Sequence, residues 1–178
     1  HIRAGEKVLW IGRPVKTPFI IPSLATIPLG LVFVGFSIFW MWGAASAGTP
    51  EPFALFGLPF VLIGFGITIG PSIWQLMRYR NTEYMVTDQR IITQSGAIGL
   101  DTRFVDLDKI QEVYVKVGFI DKMFGTGTVY AITAGFVFID SGRGATSMRP
   151  SLAALKEPYE VHRLLQEAIE MARIAKTR

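Results

Sequence analysis

Residues 17–77 contain a single charged side chain, Glu51, and divide around it into two apolar runs, about 19–42 and 53–77. A membrane-spanning helix needs roughly 20 mostly apolar residues, and each run supplies them. A soluble helix of this length would show a polar stripe; neither run does, so the pattern predicts a transmembrane hairpin rather than a buried soluble one. Pro22, Pro28, Pro59 and Pro71 lie inside the runs and are expected to kink them. Thr49-Pro50-Glu51-Pro52 reads as the start of the second helix, with Thr49 as its N-cap. Gly66 and Gly70 form a small-x-x-x-small pair, expected to seat the first span; a helix of another protein is the alternative.

Beyond the hairpin the period changes from helical to alternating. Strands are predicted at 82–87, 90–95, 103–107, 110–117, 128–133, 136–140 and 145–149, with turns at Asp88-Gln89, 96–99 and Ser141-Gly142-Arg143-Gly144. Short strands joined by turns imply an antiparallel meander. Residues 119–124 form a short apolar segment, read as one helical turn plugging the sheet interior, with a membrane or partner contact as the alternative. A helix starting near Pro158 places Val161, Leu164, Leu165, Ala168, Ala172 and Ala175 on one face, which must cover the open end of the sheet. Ahead of the hairpin, residues 8–11 suit a short strand that packs on the domain or lies at headgroup depth with Trp10 as anchor. The expected class is α+β: an N-terminal segment (1–16), a hairpin (17–77), and a domain of about seven strands with a capping C-terminal helix (78–178).

Charge fixes the expected orientation. Arg3, Lys7, Arg13 and Lys16 precede the first run, Arg78 and Arg80 follow the second, and the connection between them, 43–52, has no Lys or Arg. Positive residues stay cytoplasmic, so both termini and the domain are expected inside, as a two-span protein of the cell membrane. Trp40 and Trp42 then mark the outer boundary, Trp74 and Tyr79 the inner one. No charge falls at mid-membrane depth, which argues against a transporter or channel.

Of the 178 residues, 50% are hydrophobic and 18% charged, and the net charge is +4. After Met77 there are 14 Lys/Arg against 12 Asp/Glu, too balanced for a nucleic-acid binder. The absence of cysteine excludes disulfides, thiolate metal sites and cysteine nucleophiles. The chain begins at His1 rather than Met, which leaves room for residues upstream.

Chemistry-bearing motifs are sparse. Gly125-Thr126-Gly127 is only a fragment of a phosphate loop and reads as a turn. His162, the one internal histidine, reads as a surface residue. Ser95, Ser141, Ser147 and Ser151 have no evident His–Asp partners, and Asp106 and Asp108 read as a solvated pair. Asp88 or Asp106 is expected to pair with Arg90 or Arg103. No enzyme activity, cofactor or metal is expected.

The run Thr82-Glu83-Tyr84-Met85-Val86-Thr87-Asp88-Gln89-Arg90-Ile91-Ile92, then Ser95-Gly96, Leu107-Asp108-Lys109-Ile110-Gln111-Glu112-Val113 and Phe124-Gly125-Thr126-Gly127-Thr128-Val129 resembles the prokaryotic membrane-anchored pleckstrin-homology-like (PH-like) family. The Gly5-Glu6 and Gly12-Arg13-Pro14 flanks and the two spans are similar to it as well. The resemblance implies a PH-like split β-barrel on a two-span anchor and lends little on mechanism. Phosphoinositide-binding PH domains gather several cations at their first hairpin loop; here Asp88-Gln89 has only Arg90 beside it, so that activity is not carried over. The expected role is an interaction or scaffold module at the inner membrane face, an accessory subunit or adaptor. Its expected partners are membrane lipids and other membrane proteins, with a homo-oligomer compatible and no nucleic acid. The alternative is recognition of anionic headgroups. Candidate contacts are Arg78, Arg80, Lys116, Lys122, Phe119, Ile120, Met123 and Phe124.

Overall fold

The computed structural model describes residues 5–133, 138–140, 145–147 and 150–177. Two compact units emerge, one formed by His1–Phe19 with Arg78–Arg178, the other by Ile20–Met77. The N-terminal segment thus belongs to the same unit as the strands that follow the hairpin.

Along the hairpin, whose first and last turns belong to the other unit, α1 (Lys16–Ile20) leads through a 3-10 turn (Ile21–Thr26) into α2 (Ile27–Ser46), and α3 (Glu51–Leu55) precedes α4 (Leu58–Arg80). Three of the four prolines need no kink. Pro22, Pro28 and Pro59 occupy first turns, where a missing N–H costs nothing; only Pro71 is internal. Thr49 does not cap the second helix. Its hydroxyl donates to Ala44 O at 2.7 Å, closing the end of α2, and Pro50 stands at the N-cap of α3 without a side-chain bond. Other hydroxyls turn inward the same way, Ser37 onto Phe33 O and Thr68 onto Gly64 O. Such bonds leave few polar groups needing water.

The two long helices meet through Gly30 and Gly64. A Cβ on Gly64 would lie 2.7 Å from Val34 Cγ2, and one on Gly30 would strike Thr68 Oγ1. Gly66 and Gly70 have nothing within 4 Å of such a Cβ, so they do not seat the first helix. The spacing of the motif was satisfied, but the rotation of α4 turns that pair outward.

In the other unit, β1 (Val8–Gly12), β2 (Glu83–Thr87), β3 (Arg90–Ser95) and β4 (Asp101–Asp106) form an antiparallel sheet in chain order. A second sheet has the order β5 (Ile110–Lys116), β6 (Thr126–Thr133), β9 (Ser151–Lys156). A separate pair joins β7 (Phe138–Asp140) to β8 (Ala145–Ser147). A closed barrel is not formed: among the described residues no ladder joins the two larger sheets. The described residues hold nine strands against about seven expected in the domain: the short strand expected at 8–11 joins the first sheet as its edge, β1, and β9 adds an edge to the second that was not expected. The expected turn at 141–144 and residues 136, 137, 148 and 149 of the sixth and seventh expected strands lie outside the described residues.

The core lies between the sheets and under α6 (Pro158–Thr177). It takes Tyr84, Val86 and Ile91 from the first sheet, Ile110, Val129, Leu152 and Leu155 from the second, Leu107 from the connection, and Val161, Leu165, Ala168 and Ile169 from α6. Trp10 packs against it from β1. Ala175, expected on the buried face, is exposed because the sheet ends before the last turn of the helix.

Candidate functional site

Glu6 precedes β1, and its carboxylate is held by Arg90 at the start of β3: Nε donates to Oε1 and Nη2 to Oε2, both at 2.9 Å. Thr87 Oγ lies 2.7 Å from Glu6 Oε1 and accepts the Arg90 backbone N–H at 3.0 Å. The guanidinium stacks 4.6 Å above the Phe104 ring. Asp88 accepts the Lys7 backbone N–H, and Asp106 pairs with Lys109 at 2.6 Å. The expected pairing of Asp88 or Asp106 with Arg90 is therefore replaced by one that reaches back across the hairpin. It also removes Arg90 from ligand binding: an anionic headgroup at the first domain loop would have to displace a bidentate carboxylate.

The segment after β5 is not a plug. Helix α5 (Phe119–Phe124) exposes Phe119 by 81% and Met123 by 69%, with Phe124 also exposed and Ile120 half-buried. Asp121 fixes it from both ends, accepting the Gly118 N–H at 3.1 Å and the Thr126 hydroxyl at 3.0 Å. The interior it was expected to fill is already occupied by Leu107, Ile110, Leu155 and Leu165. Lys116 and Lys122 are exposed beside this apolar tip.

Arg78 and Arg80 lie on the last turn of α4, where basic groups meet the negative end of the helix dipole. Next to them Tyr79 meets Phe19 at a ring distance of 6.1 Å. Tyr84 is buried at the start of β2, and its oxygen accepts the Ala153 N–H at 3.1 Å. Burial pushes its phenol up to about 12, against the opposing pull of that N–H and of Arg78. The eight candidate residues therefore fall into two groups, one at the end of α4 and one around α5.

A cleft of about 470 Å³ runs between β5 and α6, lined by Glu112, Glu167 and Glu170 together with Arg163 and Arg173. Its charges alternate in sign and do not converge on one ligand chemistry. Arg173 donates to Ile110 O at 2.9 Å, and His162 Nε2 lies 3.0 Å from Val113 O, which requires its proton on that nitrogen. His162 is thus a half-buried strand clamp rather than a surface residue. Both contacts occupy carbonyls that an added strand on β5 would need. Among the described residues no group of three or more His, Asp or Glu could hold a metal ion.

Residues 18–169 match the model of a family described as the bacterial PH domain. No curated protein matches the chain. A solved structure with similarity is a DUF1696 family protein with a pleckstrin-homology domain from Shewanella loihica PV-4, at 10% identity. The alignment covers 61% of this chain and 92% of that one with a TM-score of 0.38, too distant to carry an argument about function. With the sequence match spanning α1 through most of α6, the chain belongs to the bacterial PH domain family.

Proposed function

We propose that this protein is a membrane-anchored interaction module, with α2 and α4 crossing the membrane and the PH-like unit working at its inner face as an adaptor or accessory subunit. The observation that carries the reading is exposure. Both long helices are apolar and long enough to span, yet only 11% and 12% of their most apolar windows are buried. Large side chains such as Leu62, Trp42 and Phe39 face outward around them. In water this would be an apolar patch far beyond the few hundred Å² typical of monomers; in lipid it is the expected surface. The cations ahead of the first long helix and behind the second support a cytoplasmic position for both ends of the hairpin. Tethering raises the effective concentration of the PH-like unit toward other membrane proteins. The reading is one of binding rather than catalysis. It is tested by fractionating cells that express the full chain and washing the membranes with alkaline carbonate. Retention in the pellet, with the PH-like unit protected from protease added to intact cells, is the expected result; release into the supernatant overturns it.

A second reading, recognition of anionic headgroups, is favoured by two exposed apolar residues with exposed lysines near them in the chain: Phe119 lies between Lys116 and Lys122, and Met123 follows Lys122 directly. An apolar tip flanked by cations suits the headgroup–acyl boundary of an anionic membrane.

A further inference from the structure

We propose that the β3–β4 turn, residues 96–100, is a membrane-contacting loop that seats Ile98 and Leu100 in the headgroup–acyl boundary beside the point where α4 emerges. The inference rests on the spanning reading of α4 and extends it to a part of the PH-like unit that no charge pattern marked.

Topology puts the turn at the right end of the sheet. In an antiparallel meander the β1-to-β2 and β3-to-β4 connections leave from the same end. Here the β1-to-β2 connection is the entire hairpin. Gly12, the last residue of β1, pairs with Tyr84; Glu83 at the start of β2 pairs with Gln94; Ser95 at the end of β3 pairs with Asp101. The chain therefore departs for α1 and returns from α4 at the end of the sheet that carries residues 96–100.

A direct bond confirms the proximity. Asn81, the first residue past α4, donates from Nδ2 to Gly96 O at 3.1 Å. At a rise of 1.5 Å per residue, Asn81 lies only about 6 Å along the axis from Met77, the last residue of the apolar run. The interfacial layer of one leaflet is of that order of thickness. If α4 spans, the turn lies at headgroup depth.

The turn is built to hold its apolar side chains outward. A Cβ on Gly96 would strike Gly99 O, so the chain closes tightly there. Ala97 is buried beneath the turn, while Ile98 is 82% and Leu100 61% exposed. Residues 95–100 contain no charge. A soluble turn ordinarily spends such positions on polar residues. An uncharged, pinned turn with two branched aliphatic residues facing out, joined to the end of an apolar helix, matches the lipid boundary that helix enters.

The chain has no cysteine, so single cysteines report position directly. Ile98→Cys, Leu100→Cys, Ile69→Cys within α4 and Gln89→Cys at the opposite sheet end are each labelled with an environment-sensitive fluorophore in the full chain. The labelled chains are reconstituted in phosphatidylcholine–phosphatidylglycerol vesicles. The proposal expects probes at 98 and 100 to be quenched by headgroup-level nitroxide lipid and to be several-fold less accessible to an aqueous quencher than the probe at 89. Aqueous access at 98 equal to that at 89, with the probe at 69 still lipid-protected, overturns the loop contact alone. Protection at 98 without quenching by nitroxide lipid also overturns it and assigns the turn to a protein neighbour or second copy. Aqueous access at 69 overturns the spanning reading, and this proposal with it.

Discussion

Glu6 and Arg90 stand 84 positions apart in sequence, on opposite sides of the hairpin, and form a bidentate ion pair with both side chains withdrawn from solvent. The pair ties the segment ahead of the first long helix to the strands behind the second. Removing one partner leaves an uncompensated buried charge, a loss of about 3–5 kcal/mol, whereas replacing both by apolar groups of similar volume is often close to neutral. Glu6→Gln should therefore lower the unfolding temperature of the purified chain sharply, and the double variant Glu6→Leu/Arg90→Met should recover most of the loss. Equal destabilisation by single and double variants would refute a desolvated pair.

Tyr84 gives the PH-like unit an alkaline limit. Its phenol is raised from 10.0 to about 12 in the folded chain, chiefly by burial. A raised value in the fold means that the stabilisation is complete below pH 10 and is lost as pH climbs from 10 toward 12, on the order of 2–3 kcal/mol over that window. Tyr84→Phe should abolish this decline. At neutral pH it should be the less stable protein by about 1–3 kcal/mol, because the Ala153 N–H loses its acceptor. Melting curves of the two proteins across this range should converge; parallel curves would contradict the assignment.

The two long apolar helices and strands β2 to β6 were legible because their patterns are local and strongly periodic. What escaped the sequence was set by distant partners. Ser151-Leu152-Ala153-Ala154-Leu155-Lys156 is built of good helix formers, and its alternation is broken at Ala154, which adopts a positive φ of 52°. Only pairing with β6 makes it a strand. Glu6 carried no local sign of its partner, and Arg90 had two nearer carboxylates to suggest instead. The apolar segment 119–124 resembled a core element because composition does not report that the core was already full.

The hairpin contact separates two glycine pairs that sequence alone treats alike. Gly30→Val and Gly64→Val force a side chain into Thr68 and Val34 respectively, and overpacking of this kind costs roughly 1–3 kcal/mol. Gly66→Val and Gly70→Val project into open space and should change hairpin stability by no more than about 0.5 kcal/mol. Helical unfolding in mixed micelles of increasing denaturing detergent would order the four variants. A cost at Gly66 or Gly70 comparable to that at Gly30 would show that a further helix occupies that face.

Helix α5 makes the sharpest distinction between a structural and a binding role. If Phe119 and Met123 face outward as the fold has them, Phe119→Ser with Met123→Ser should leave the melting temperature within the scatter of surface substitutions, about 0.5 kcal/mol. A core phenylalanine cut back this far would cost about 3–5 kcal/mol instead. The same double variant should lose whatever the tip binds. In lipid nanodiscs, hydrogen exchange across residues 119–124 should slow on passing from neutral to anionic lipid if headgroups are the ligand. Lys116→Ala with Lys122→Ala should then reverse that slowing. Exchange that responds to neither lipid charge nor the lysines, yet slows in native membranes, would identify the ligand as a neighbouring protein, because only the apolar face of α5 would then be covered.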